Sequence, residues 1–366
     1  ITIPSTVTVI NKGAFCGCSQ IKQIDIPSSL TYLGESVFSK CTSLLTCEIH
    51  ANVDEINSGL FEQCSSLTKV LIPASVTKIG NNAFDGCVSL SEVNLPSILN
   101  EIGSSAFRQC SLLSKIDLPS SLYIIGSYAF SECLRLEEIE IPSSIDSLRE
   151  NTFENCLLLK KIKLPSNMIS IGEYSFQNCS KLEEVTIPSS VKIIERGLFS
   201  NCVSLKTVDI PLHIEQIKPK AFYNCKSIEQ IVVPPSITVI EDEVFYNCCS
   251  LKNIEIPYSV TEIKTRAFAL CSSLVSFFMP SSVTQTGIKI FDGCTSLVHV
   301  ELSFKLKTIA VGTFDGCLSL ERIKIPPNVV SISNDAFNHC SALKTIEMPD
   351  ICTCYVQPNY PKVFWY

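Results

Sequence analysis

Aliphatic residues recur at every second position over short stretches such as Ile24-Asp25-Ile26, Val70-Leu71-Ile72 and Ile139-Glu140-Ile141, and proline follows each one directly. Period-two alternation predicts a short, half-buried strand. Proline has no N–H to give to a ladder, so it marks where the strand ends and the chain turns. Further along, Leu33, Val37, Phe38, Cys41 and Leu44 stand at i, i+4, i+5, i+8 and i+11, the stripe of a helical period, and this spacing predicts a short helix or 3₁₀ turn. The position just before that stretch is glycine in only six of fifteen copies (Gly34, Gly80, Gly103, Gly126, Gly172 and Gly287), with Arg149, Glu195 or Lys218 elsewhere. A left-handed backbone is therefore not expected there.

The pattern recurs with a fixed period. Phenylalanine falls at every twenty-third residue from Phe15 to Phe337, fifteen times without insertion or deletion, and cysteine follows three residues after each, from Cys18 to Cys340. Proline holds 14 of the 16 equivalent places from Pro4 to Pro349, with His50 and Ser303 as the exceptions. A period of about 20–29 residues indicates a solenoid. One coil cannot enclose its own apolar side chains, but stacked coils place each Ile, Leu, Phe and Cys on its counterpart above and below. The predicted fold is an α/β repeat: a curved right-handed superhelix with a parallel β-sheet on the concave face and short helical turns opposite. Residues 1–349 form the array, which begins inside a repeat, so a preceding segment or cap is expected. Residues 350–366 leave the pattern and carry Tyr355, Tyr360, Phe364, Trp365 and Tyr366, which suits a cap over the last coil or a docking segment for a second copy.

Composition narrows the function classes. The chain is 46% hydrophobic with a net charge of −7, and its charges of both signs are scattered. No basic block offers a footprint for nucleic acid. No apolar run approaches the roughly 18 residues of a membrane span. Fifteen of the 20 cysteines sit in one register on the inward stripe. Each has two equivalent neighbours, so buried free thiols are expected rather than disulfides. Cys16/Cys18, Cys248/Cys249 and Cys352/Cys354 do not repeat a metal-ligand spacing, and the histidines are dispersed, so no metal is expected. A terminal disulfide or cap contact at Cys352 and Cys354 stays open. The sequon Asn178-Cys179-Ser180 has its central residue in the cysteine register and reads as repeat consensus.

The segment Ile72–Leu90, IPASVTKIGNNAFDGCVSL, and its fourteen relatives closely resemble the BspA-like leucine-rich repeats across residues 1–349. That resemblance implies a repeat array of the kind found on bacterial and protist surfaces, hence adhesion or partner binding. It implies no enzyme and no cofactor. The expectation is a non-enzymatic cell-surface or secreted protein that binds a host protein or matrix component through the concave face. The alternative is a cytoplasmic scaffold that docks a partner such as a phosphatase subunit. Phosphate-binding glycine loops, zinc-protease helices and nucleophile elbows are all missing from the sequence.

Side chains flanking the inward strand positions must face outward. In the first half they are mixed charges, such as Lys115/Asp117, Glu138/Glu140 and Lys161/Lys163. In the second half the face becomes less polar, and the candidate ligand-binding residues are Val232, Asn253, Glu255, Ser276, Phe278, His299 and Glu301. Phe278 is the one aromatic expected on that surface, and large exposed aromatics anchor interfaces. The repeat is irregular there: Phe277 and Met279 take the inward positions, Thr286 replaces the usual Ile, and Ser303 replaces proline before Phe304.

Overall fold

The computed structural model describes residues 1–348 and the backbone of Val363–Trp365. Cys352, Cys354, Tyr355, Tyr360, Tyr366 and the side chains of Phe364 and Trp365 lie outside the described residues. The chain is a parallel-strand solenoid of about fifteen turns. It divides into two compact units, Ile1–Ser190 and Val191–Tyr366.

Each full coil contributes to two strand rows rather than one. The first row is the alternating segment before the proline. In the first unit Gln23–Ile26, Thr46–Ile49 and Lys69–Leu71 pair in parallel, as do Glu138–Glu140 and Lys161–Lys163. In the second unit Ser276–Phe278 pairs with His299–Glu301, and Arg322–Lys324, Thr345–Met348 and Val363–Trp365 form a three-stranded sheet. Partners within the array lie 23 residues apart, as Ile24↔Cys47 and Phe278↔Glu301 show. The register therefore copies the sequence period. A one-residue slip would turn every buried Ile outward, so the alternation locks the pairing.

The second row is built from two-residue strands that follow the proline turn. Glu55–Ile56, Lys78–Ile79, Glu101–Ile102 and Ile124–Ile125 lie side by side in the first unit. Val239–Ile240, Glu262–Ile263 and Gln285–Thr286 do so in the second. In each, the second residue points inward and is buried, except in the Thr286 and Ile332 copies, where it is half-buried.

The expected helical turn is absent: the described residues contain no helix, and the Phe–Cys segment is a run of tight turns. Two backbone positions per coil, two residues before and two after the phenylalanine, have positive φ in all fifteen copies. Residues there include Tyr128 (φ 59°), Lys220 (φ 61°) and Leu270 (φ 61°) as well as glycines. Left-handed residues interspersed at that spacing cannot continue a right-handed helix. Every second N–H also leaves its own coil. Ala14, Cys16 and Cys18 donate within the coil to Asn11, Gly13 and Phe15, whereas Gly13, Phe15 and Gly17 donate to Glu35, Val37 and Ser39 of the next. The segment shares its backbone bonds with its neighbour, as strands do and helices do not. Gly34, Gly103 and Gly126 are not left-handed, in accord with the sequence. A Cβ on Gly126 would stand 2.4 Å from the Ser104 amide nitrogen of the preceding coil, so glycine there allows close approach.

The core consists of ladders. Phenylalanine rings stack with centroids 5.2 Å apart at Phe84–Phe107 and 6.0 Å at Phe153–Phe176, nearly parallel, and those from Phe38 to Phe314 are fully buried. Thirteen of the ladder thiols, from Cys41 to Cys340, donate to the carbonyl of the phenylalanine 26 residues earlier. Cys64 Sγ reaches Phe38 O at 3.0 Å, Cys133 reaches Phe107 at 3.2 Å and Cys294 reaches Phe268 at 3.1 Å. The same carbonyl also accepts the amide of its own coil's cysteine, as Phe107 O does from Cys110 at 3.2 Å. Both lone pairs of a buried carbonyl are thereby occupied, which valine or alanine at the cysteine position could not achieve. Where serine stands two residues after the proline, it ties coils in the same way: Ser29 to Val7 O at 3.0 Å, Ser121 to Leu99 O at 2.7 Å and Ser259 to Ile237 O at 2.6 Å.

Candidate interaction face

The outward columns of the first strand row differ between the units. In the first unit lysines stand among the acids: Lys163 pairs with Glu140 at 2.5 Å and Lys115 with Asp117 at 3.2 Å, and just before the strands Lys160 pairs with Glu137 at 2.8 Å. The Lys160 hydrogen bond lowers the Glu137 carboxyl below its usual range. Such exposed pairs add little to stability, but they place cations among the acids of this surface.

In the second unit, the columns from Thr207/Asp209 to His299/Glu301 contain no lysine or arginine. Asp209, Glu255 and Glu301 make no ion pair among the described residues. Val232 and Phe278 stand between them along the same column, 64% and 48% exposed. Phe277 and Met279 are buried, and the Phe277 ring meets Phe291 edge-on at 4.7 Å. The inward pull of Phe277 into the phenylalanine stack is what holds Phe278 outward.

All seven sequence-predicted residues are exposed. Val232, Asn253 and Glu255 line one open depression of about 790 Å³ with Thr207, Gln230 and Tyr258, and Val232 pairs directly with Glu255. Ser276, Phe278, His299 and Glu301 are not in that depression; they continue the row in paired strands. The sequence reading did not count among its candidates three large apolar side chains of the turns that follow these strands: Leu212, Tyr258 and Phe304, which are 64%, 69% and 53% exposed. A signal was present. The residue after the proline position is Ser or Ala in the first nine copies, from Ser5 to Ser189, and then Leu212, Pro235, Tyr258, Ser281, Phe304 and Pro327.

The irregular repeat leaves a second mark. A separate depression is lined by Thr284, Gln285, Thr286, Lys305, Lys307, Thr308 and Asn328, where Thr286 has replaced the apolar inward residue. Beside it the buried Ser282 hydroxyl lacks the partner that its counterparts have.

The eighteen described cysteines are free thiols, most of them buried. Burial pushes the thiols up, Cys41 to about 11 and Cys64 and Cys271 to about 12, so the nucleophilic, metal-binding thiolate is suppressed. Among the described residues, no group of three or more His, Cys, Asp or Glu side chains is placed to hold a metal ion. No helix among them is long and apolar enough to cross a membrane. The Asn178 amide donates to Asn155 Oδ1 at 2.7 Å, so the sequon asparagine belongs to an inter-coil ladder.

Two parallel strand rows and a row of stacked turns repeated every 23 residues define a leucine-rich-repeat solenoid. Residues 1–114, 100–229 and 215–344 match the BspA type Leucine rich repeat region, and the chain belongs to that family. Among solved structures it is similar to a leucine-rich repeat protein from Bacteroides ovatus ATCC 8483, with 27% identity and a TM-score of 0.83 over 100% of this chain and 91% of the other. A leucine-rich repeat protein from Eubacterium ventriosum ATCC 27560 is 20% identical with a TM-score of 0.50, over 88% of this chain and 83% of the other. A leucine rich cell surface protein from Faecalibacterium prausnitzii A2-165 is 23% identical with a TM-score of 0.41, over 100% and 86% of the two chains. No curated protein sequence matches the chain. Proteins of this repeat class are typically non-enzymatic scaffolds that bind other proteins.

Proposed function

We propose that the chain is a non-enzymatic, cell-surface or secreted interaction protein that binds a host or matrix protein through the strand face of its second unit. The observation that carries this reading is the row Val232, Glu255, Phe278, Glu301, in which large apolar side chains stand exposed among polar neighbours while their sequence neighbours are buried. Exposed apolar groups on a rigid, polar-rimmed surface characterise interaction sites. Asn253, Ser276 and His299 supply hydrogen-bonding groups alongside. Membership of the BspA-type family supports the surface placement. Free thiols do not favour the cytoplasmic alternative, because burial protects them in any compartment.

The test is selection of peptide-display clones on the immobilised chain, followed by challenge with a Val232→Ser/Tyr258→Ser/Phe278→Ser variant of unchanged melting temperature. Clones that bind the native chain and lose at least about tenfold in affinity for the variant support the face, as expected when interface anchors are removed. Clones that bind both equally would move the site elsewhere.

A further inference from the structure

The apolar face of the second unit carries its own charge signature, and that signature specifies a partner. Along the outward column the order is Asp209, Val232, Glu255, Phe278, Glu301, so acid and apolar groups alternate coil by coil. Leu212, Tyr258 and Phe304 stand exposed three residues after Asp209, Glu255 and Glu301, in the turns of the same coils. The three carboxylates have no ion pair among the described residues and no lysine or arginine among the columns from Thr207/Asp209 to His299/Glu301, whereas lysines stand among the acids of the first unit's strand face, where Lys163 pairs with Glu140 and Lys115 with Asp117. Glu255, Val232 and Tyr258 line the same depression, so charge and apolar surface are presented together.

We propose that this face binds an extended, cationic segment of a protein, with Lys or Arg side chains recurring between apolar ones. Exposed carboxylates without internal partners raise the local cation concentration and steer a positive segment onto the surface. The apolar side chains then supply the contact that holds it. Neighbouring strands lie about 4.8 Å apart, so carboxylates on alternate coils recur roughly every 9.6 Å. An extended polyproline-type chain rises about 3.1 Å per residue and brings every third side chain round at nearly that spacing. The matching ligand therefore has a cation at every third position and apolar residues between, and it runs across the strands. This assignment rests on the proposed interaction face and adds the chemistry of what that face takes.

The experiment measures binding of fluorescein-labelled peptides to the full chain by fluorescence anisotropy. The probes are four tandem Arg-Leu-Pro triplets, four Glu-Leu-Pro triplets and four Arg-Ser-Gly triplets. Arg-Leu-Pro is expected to bind, to weaken as salt is raised, and to lose at least about tenfold in affinity on Asp209→Asn/Glu255→Gln/Glu301→Gln, since neutralisation removes the steering charge. Glu-Leu-Pro is expected not to bind, and Arg-Ser-Gly to bind at least about tenfold more weakly because it lacks apolar contacts. If the neutralised variant fails to fold, the salt dependence and the Glu-Leu-Pro comparison decide instead. Absence of Arg-Leu-Pro binding, equal binding of Glu-Leu-Pro, or unchanged affinity in the neutralised variant would overturn the cationic assignment. Display clones that depend on Val232, Tyr258 and Phe278 but carry no Lys or Arg would leave the face standing and remove only its proposed chemistry.

Discussion

At the scale of single residues, cysteine has the least expected role. Thirteen ladder thiols reach across coils to a phenylalanine carbonyl that already accepts an amide, so cysteine acts as a small hydrophobe with one useful donor. Two consequences can be measured. In the native chain, iodoacetamide with mass analysis should modify the exposed Cys16 and Cys18 first and leave Cys110, Cys133 and Cys225 untouched until denaturant is added. Burial also raises the folded-state thiol pKa above that of an unfolded cysteine, so the folded chain holds more thiol protons than the unfolded one once pH exceeds about 8.5. The stabilisation is fully present below that pH and is lost as pH climbs through the folded values of about 11–12. The melting temperature should thus fall progressively from about pH 9 upward, with many thiols contributing. A flat profile from pH 8 to 11 would show that the thiols ionise without unfolding.

At the scale of the element, the strand was legible and the turn was not. Ile-x-Ile-Pro specifies a strand, its buried side and its end, and the 23-residue register follows from stacking like on like. The Leu33, Val37, Phe38, Cys41, Leu44 stripe fits a helix equally well on side-chain spacing. The deciding bonds, such as Phe15 N–H to Val37 O at 3.0 Å, exist only after a second coil is in place. The two-residue second strand was hidden for the same reason, since two residues have no readable period. The left-handed positions tolerate Tyr, Lys and Leu because each is fixed by a bond to the next coil, at a backbone cost of roughly 1–2 kcal/mol per residue relative to the right-handed region. Ser105, at φ 55°, has a small side chain and tests this. Ser105→Gly should raise stability by a few tenths to about 1 kcal/mol, and Ser105→Val should lower it by about 1–2 kcal/mol, read as opposite shifts of the urea midpoint. Equal effects of both substitutions would mean that the turn is not under backbone strain.

At the scale of the whole molecule, the repeat leaves the core nearly invariant and confines individuality to the exposed columns, so any function must be sought where side chains are free to differ. Outward exposure of Val232 and Phe278 was legible because alternation assigns each strand residue a side, and the buried Phe277 and Met279 fix that assignment. Tyr258 was not legible by the same rule, since it lies in the turn after Pro257, where no alternation applies, and only folding brings it beside Val232 and Glu255. A face built in this way is useful only where a partner can reach it, which makes compartment the decisive property of the molecule. Mild protease shaving of intact source cells, with mass identification of released peptides, should yield fragments from this chain without permeabilisation. The exposed turns around Leu212, Tyr258 and Phe304 offer cleavable segments. Release only after permeabilisation would place the chain inside the cell, exclude a host or matrix ligand, and leave the same acidic and apolar face to be matched with a cytoplasmic partner.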